Sequence, residues 1–509
     1  MRSEKFLRPF IRRRYEIFIF SLALLVRVIT WISIPVDWNW DSYHHWQISY
    51  LSLHIGFREG RLWDLNGCEY IWGIVPDLIQ SILLFLFNTC KILPYRIFNL
   101  IAGSLNSLLV FYVGRSFFNF ETGYRSGIIY ALFPVAAIFD VIAMQDTIAI
   151  TFLLASLYLI KERPFWSGIL LALAGQSRTE FLLTGFVIIV GYSLRERFST
   201  KSQPFIIGYV LVTGIFGVHL IQQTGNPVFP LYYSLYNIFG GLKNENEGIH
   251  FLKLMLRWAA WKLSVWPKKI TGIMLLFFAS AMASLVPYMA WKKWSNYQPV
   301  LYSITTIAIL SPIFLTYIGS DFESLLIMLR MVNPIIALSI PLVLYLFHRY
   351  FGSKNRNFNN LTFLFIILCL IYSFTLIQPQ YIPFQEKAKE AFYASDKVFE
   401  YYKEGNIVSD YPTMNYWLIQ KHELNAKNII GNHYSPHYYK IDTPICYVQW
   451  LSENNITLWL YWDDRAKPVW DVITLNYPGL FILVEDMPAA NIFLVDQIEL
   501  AEILENSNN

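Results

Sequence analysis

Eleven stretches of this chain are apolar enough to read as crossings of a lipid bilayer, and that pattern limits the fold more than any other feature. A spanning helix needs about 20 largely apolar residues, and fewer where neighbours thin or shield the bilayer. The spans read as Tyr15–Ile34, Ile97–Gly114, Gly127–Phe139, Thr147–Leu159, Ser167–Gly175, Phe181–Leu194, Phe205–Gln222, Ile270–Ala290, Val300–Tyr317, Val332–Phe347 and Leu361–Ile377. Several in the first half are short, so either their ends extend or their outer ends sit below the membrane surface around a recessed cavity. Composition agrees: 55% of the 509 residues are hydrophobic, too many for the polar surface of a soluble protein this size. Cys68, Cys90, Cys369 and Cys446 have neither paired spacing nor histidines at zinc intervals, which argues against a disulfide scaffold or a zinc module.

Charge sets the orientation. The leader carries Arg2, Lys5, Arg8, Arg12, Arg13 and Arg14 against Glu4, which places the N-terminus in the cytoplasm. No small-residue cleavage motif follows the first apolar run, so it reads as a retained helix. The apolar segment Trp72–Phe87 is the ambiguous one. If it does not cross, the clusters Arg115/Arg125, Lys161/Arg163, Arg195/Arg197/Lys201, Lys292/Lys293 and Arg349/Lys354/Arg356 all face the cytoplasm; if it crosses, all move outside. A re-entrant or juxtamembrane segment is therefore expected, and Pro76 with Asp77 suits it. Residues 379–509 then form an extracytoplasmic domain beyond a membrane module of residues 1–378. An amphipathic helix over Lys387–Lys403, strands at Asn406–Ser409, Ile456–Trp462 and Leu480–Val484, and a helix near Thr443–Glu453 predict a small α/β domain.

The informative polar residues gather on the outer side. The first outer loop runs Asp37-Trp38-Asn39-Trp40-Asp41-Ser42-Tyr43-His44-His45-Trp46. It reads either as an aromatic belt with solvated acids or as a site in which Asp41, His44 and His45, at helical spacing, face one cavity. A carboxylate held there can deprotonate an acceptor hydroxyl. In the second outer turn Asp146 is either an N-cap or a site acid. In the third, Arg178 either pairs with Glu180 or serves function, since ionised groups at such depth are costly. Arg330, flanked by apolar residues, suits a phosphate, although a single arginine also snorkels. In the long outer loop Gln223–Lys269, the basic, aromatic stretch Arg257-Trp258 to Lys269 reads as an interfacial helix that either steers an anionic lipid into the site or lies on the membrane.

These residues, in this order, resemble the GT-C superfamily of membrane glycosyltransferases, and within it the protein O-mannosyltransferases and bacterial lipid A sugar transferases. The likeness covers nearly the whole chain. It rests on Asp41 after the first span, the juxtamembrane Trp72-Gly73-Ile74-Val75-Pro76, the Arg96-to-Asn106 helix with Gly103, the Gly114-Arg115 stop, Asp146, and the turn Arg178-Thr179-Glu180. The resemblance implies a polytopic α-helical membrane protein of about 11 spans. It implies transfer of mannose or a similar hexose or pentose, with inversion, from a polyprenyl-phosphate carrier to a lipid, glycan or protein. Asp41 matches the first-loop acid assigned as general base or metal ligand, and Asp146 the second-loop acid of the same site. Asp37, His44, His45 and Glu69 become candidates for shaping the acceptor site, and Arg178 and Arg330 for binding the donor phosphate. A divalent cation is compatible with this; no organic cofactor and no nucleic-acid partner are expected. Two departures stand out: Asp41 is followed by Ser42 with Asp37 four residues earlier, and the family's double proline is reduced to Pro76. The rival reading is a transporter or lipid-sugar flippase, which predicts inverted repeats and midplane charges; a scaffolding protein is third.

Overall fold

The computed structural model describes residues 13–54, 73–195, 202–232, 325–351, 356–409, 411–431, 444–462 and 467–508. Its helices run α1 (Arg14–Ser33), α2 (Trp40–His54), α3 (Ile74–Leu86), α4 (Leu93–Phe117), α5 (Phe120–Leu132), α6 (Pro134–Phe139), α7 (Asp146–Leu159) and α8 (Pro164–Gly175). They continue as α9 (Glu180–Arg195), α10 (Gln203–Thr224), α11 (Leu325–Phe351) and α12 (Arg356–Tyr401). The remainder is β1 (Asn406–Val408), α13 (Pro412–His422), β2 (Ile429–Ile430), α14 (Pro444–Glu453), β3 (Ile456–Tyr461), α15 (Lys467–Asn476), β4 (Phe481–Glu485), β5 (Asn491–Val495) and α16 (Gln497–Asn508).

The chain divides into two compact units. One comprises Met1–Pro35, Ile71–Pro76 and Arg96–Tyr381; the other comprises Val36–Tyr70, Asp77–Tyr95 and Ile382–Asn509. The second unit thus takes in the loop after α1 as well as the last part of the chain.

Among the described residues, α1, α4 and α10 are long and apolar enough to cross a membrane, whereas α3, α7, α8 and Asn333–Tyr345 are apolar but shorter. The 13 residues of α3 extend about 20 Å against a hydrocarbon core of about 30 Å. Its Ile82, Phe85 and Leu86 are exposed, as residues meeting lipid would be. Two expected spans, Ile270–Ala290 and Val300–Tyr317, lie outside the described residues, as do Glu69 and most of the interfacial stretch.

One expected span is corrected. Gly127–Phe139 is not a single helix: α5 stops at Phe133, whose backbone is extended (φ −70°, ψ 119°), and α6 starts on Pro134. Proline lacks the N–H an uninterrupted helix needs, and it disfavours helical geometry in the residue before it. In the first unit α1 and α11 both pack on α5, and α7 and α10 both pack on α8.

In the second unit a five-stranded mixed sheet has the order β2-β1-β3-β5-β4. β1 runs parallel to β2 and β3, while β5 is antiparallel to β3 and β4. Val408, Val448, Leu451, Ile456, Trp459, Leu480 and Val495 fill its core with the helices. The three expected strands and the helix at Pro444 are present, within a residue or two; β2 and β5 are additional. The helix expected over Lys387–Lys403 is instead the last part of α12, 46 residues long and continuous from the last expected span through Pro379 and Pro383. The change of composition after Gln378 is therefore not a helix end.

Candidate functional site

In the second unit two side chains launch α2. The Asp37 carboxylate accepts from the Asn39 N–H (3.1 Å), and the Asn39 side-chain oxygen accepts from the Asp41 N–H (3.0 Å). These are staggered Asx turns, which offer orphan backbone donors an acceptor where a helix begins. Asp37 is buried, 1% exposed, and the Tyr43 hydroxyl donates to its carbonyl. Asp41, in the first turn of α2, is half-buried. The two acids therefore sit in different settings: one inside a turn, one at its mouth.

His44 and His45 follow in the same helix, and both are buried. His44 lies beside the Trp40 ring (6.4 Å between centroids). His45 Nδ1 meets Asp77 Oδ1 at 2.8 Å. One turn further along both helices, the Ser81 hydroxyl donates to the Ser49 carbonyl (3.1 Å), and the Ser49 hydroxyl, which donates within α2 to the His45 carbonyl (2.7 Å), lies 3.4 Å from Gln80 Oε1. The i, i+4 spacing of 45 with 49 and of 77 with 81 lines these contacts into one polar seam between α2 and α3. The other side of α2 packs on α13: the Asn415 side-chain amide donates to Gln47 Oε1 (2.9 Å), and Tyr416 meets the rings of Tyr43 and Trp46.

In the first unit, the turn between α6 and α7 is held from two sides. Arg96 on α4 donates to the carbonyls of Ile34 (2.6 Å), Pro35 (2.8 Å) and Val141 (2.9 Å). Asn99 donates to those of Ile142 and Met144, both at 2.7 Å, and Asn106 to that of Thr147 (3.0 Å). From α1, Arg27 forms a buried ion pair with Asp140 (2.7 Å), whose other carboxylate oxygen accepts from the Thr147 hydroxyl (2.7 Å). Gly103 makes room for that carboxylate, because a Cβ there would overlap Asp140.

That turn ends on Asp146, which is the first residue of α7 rather than its cap; Gln145 occupies the cap position. Asp146 forms a buried ion pair with Arg178 of the α8–α9 turn. Val75 N–H donates to the Gln176 carbonyl (3.2 Å), and Gly73 lies so close to that carbonyl that a Cβ would collide with it. The start of α3, the α6–α7 turn and the α8–α9 turn are thus tied together within one unit. Arg330 falls in α11; its side chain and that of Glu180 lie outside the described residues.

Arg27 and Asp140 were not singled out from the sequence, although an arginine in the middle of a span is itself a signal, since a charge in hydrocarbon is retained only when paired. Among the described residues no group of three or more His, Cys, Asp or Glu is gathered to hold a metal ion. The described residues therefore gather no ligand set for a divalent cation.

The profile of the dolichyl-phosphate-mannose-protein mannosyltransferase family matches residues 73–221. No curated protein matches the chain by sequence. Among solved structures, the oligosaccharyltransferase AglB from Archaeoglobus fulgidus, in complex with an inhibitory peptide and a dolichol-phosphate, is similar at 14% identity and TM-score 0.55, over 96% of this chain and 75% of that one. ArnT from Cupriavidus metallidurans, bound to undecaprenyl phosphate, is similar at 12% identity and TM-score 0.54, over 96% of this chain and 99% of that one. A further structure of the Archaeoglobus fulgidus oligosaccharyltransferase contains zinc and sulfate, at 14% identity and TM-score 0.52 over 87% and 67% of the two chains. At these identities the likeness is one of fold.

Proposed function

On the premise that this chain has the fold of the GT-C membrane glycosyltransferases and matches one of their families over residues 73–221, we propose that it is itself a membrane glycosyltransferase. The donor is a sugar, mannose or a similar hexose or pentose, carried on a polyprenyl phosphate. The acceptor is a lipid, glycan or protein on the extracytoplasmic side, where the second unit's mixed-sheet domain also lies, with the N-terminus cytoplasmic.

The observation that supports the assignment of Asp41 is its place in the first loop. Asp37 is buried, with its carboxylate accepting from the Asn39 N–H, while Asp41 stands half-buried in the first turn of the helix that follows. Asp41 takes the proton of the acceptor hydroxyl as its oxygen attacks the sugar C1 from the side opposite the phosphate. The C1–O bond breaks, its electron pair leaves on the polyprenyl phosphate, and the configuration inverts. Charge develops on that phosphate, so a preorganised guanidinium contributes most there. Arg178, positioned by Asp146, and Arg330 are the groups assigned to it. His44 and His45 shape the acceptor side, His45 being held in orientation by Asp77.

The test is to reconstitute the purified chain in vesicles with a labelled polyprenyl-phosphate sugar and a membrane extract as acceptor source. The expected result is labelled acceptor together with one equivalent of free polyprenyl phosphate. Movement of the intact donor between leaflets without release of polyprenyl phosphate would instead establish the flippase reading.

A further inference from the structure

Three aromatic rings, drawn from three places in the second unit, meet at the first turn of α2. Trp40 is the first residue of α2, Tyr411 precedes α13 as its cap, and Trp462 follows the end of β3. Tyr411 and Trp462 stack with ring centroids 4.5 Å apart and planes 17° apart. Trp40 joins Trp462 at 5.5 Å with planes at 60°. The cluster is not core: Trp40 is 37% exposed, and Tyr411 and Trp462 are half-buried. The sheet domain has its own packed interior around Trp459, and the α2–α13 contact is filled by Tyr43, Trp46 and Tyr416. Neither requires three large rings with open surface beside the mouth of the first-loop turn.

A tilted group of ring faces next to a carboxylate suits one class of molecule. A pyranose has an apolar face of polarised C–H groups that lies against the negative face of an aromatic ring, while its hydroxyls stay at the rim for polar groups. Tyr411 supplies one such group. Burial, and then the charge of Glu390, push its phenol above the usual range, so it keeps its proton and can donate as well as accept. Asp41 follows Trp40 in the first turn of α2, so a sugar lying on the rings is held at the same helix start as the carboxylate.

We propose that Trp40, Tyr411 and Trp462 form a carbohydrate-binding platform and that the acceptor presented to Asp41 is a glycan or sugar headgroup rather than a hydroxyl of an extended peptide. The assignment of the sugar as acceptor rests on the transferase reading above; the platform as a sugar site does not.

The test has two arms, both with the full chain in lipid nanodiscs free of glycoside detergent. In the first, equilibrium dialysis measures binding of radiolabelled maltotriose, cellotriose and chitotriose, with a serine-containing peptide in parallel. At least one trisaccharide should bind saturably and the peptide should not. Trp462→Ala should weaken sugar binding about tenfold, the factor that goes with losing one ring contact at the upper end of the aromatic range, and Trp462→Phe should restore most of it. Thermal unfolding of both variants confirms that each is folded. Equal sugar binding by wild type and folded Trp462→Ala, no saturable sugar binding by wild type, or preference for the peptide would each overturn the platform. In the second arm, transfer from a labelled polyprenyl-phosphate sugar to membrane-extract acceptor is followed as acceptor concentration varies. Trp462→Ala should raise the apparent KM about tenfold and leave kcat within about twofold. Unchanged KM in an active wild-type background would sink the acceptor assignment alone. A wild type that transfers nothing would sink the transferase reading, and the sugar-binding arm would still decide the platform.

Discussion

The buried pair Arg27–Asp140 gives the sharpest stability prediction. Both side chains are fully buried, with the guanidinium 2.7 Å from the carboxylate, and Arg27 also donates to the Ala131 carbonyl (3.2 Å). Arg27→Ala leaves the Asp140 carboxylate buried, with the Thr147 hydroxyl still donating to it. Removing one member of such a pair costs about 3–5 kcal/mol, because the remaining charge is uncompensated. At roughly 2–4 °C per kcal/mol for a cooperative unit of moderate size, the melting temperature should fall by about 6–20 °C. Replacing both partners with apolar residues, Arg27→Met with Asp140→Leu, removes the desolvation cost along with the attraction and should recover most of the loss. The assay is thermal unfolding of each purified variant in nanodiscs of one lipid composition. A single variant within about 1 kcal/mol of wild type, or a double variant as unstable as the single one, would refute the reasoning.

Three further outcomes follow from local geometry. Gly73→Ala should destabilise by about 1–3 kcal/mol, because its Cβ meets the Gln176 carbonyl and backbone must shift; thermal unfolding in nanodiscs checks it. Asn415→Ala should cost about 1–3 kcal/mol by leaving buried Gln47 without that donor, whereas Asn415→Asp should be no milder, since it has no N–H to offer; the same melting assay reads both. For Asp396, burial opposes ionisation, but the hydrogen bonds from Lys421, His422 and Trp417 win and hold the carboxyl below its usual range. A depressed carboxylate pKa contributes stability above the unfolded value, and that contribution is lost as pH falls through the folded one. Asp396→Asn should therefore be less stable than wild type at pH 6 by no more than about 1 kcal/mol, and the gap should close below about pH 4, as read by melting across that range.

Much of the helical order was legible because apolar runs bounded by basic residues carry their own signal. The helix starts at Arg14, Asp146 and Gln203 fall within three residues of the spans read from hydropathy. What was missed depended on a single residue or on distant ones. Pro134 splits an apolar run whose hydropathy is continuous across it. β5 was missed because Asn491–Val495 is a short apolar run with little alternation to mark it. The pairing of Arg178 with Asp146 is set by where two turns meet, which spacing within either turn does not encode. The first-loop helix shares a unit with the sheet domain through Gln47 and Asn415, which are 368 positions apart. For the first loop itself, the sequence offered two acids four residues apart and no means of ranking them beyond position. The structure adds that Asp37 is buried and accepts from the Asn39 N–H, while Asp41 is half-buried.

The most direct test of the central claim compares Asp41→Asn with Asp37→Asn in the transfer of labelled sugar from a polyprenyl phosphate to its acceptor, using purified, folded protein. Asparagine keeps the shape of aspartate but cannot take the proton, and general-base assistance is worth about 100- to 10,000-fold. Asp41→Asn should lose activity by that order in kcat. Asp37→Asn should keep most of its activity, because its amide oxygen can still accept from the Asn39 N–H. An active Asp41→Asn enzyme beside a dead but folded Asp37→Asn enzyme would reassign the base to Asp37. Full activity in both would remove the first loop from the chemistry and contradict the mechanism.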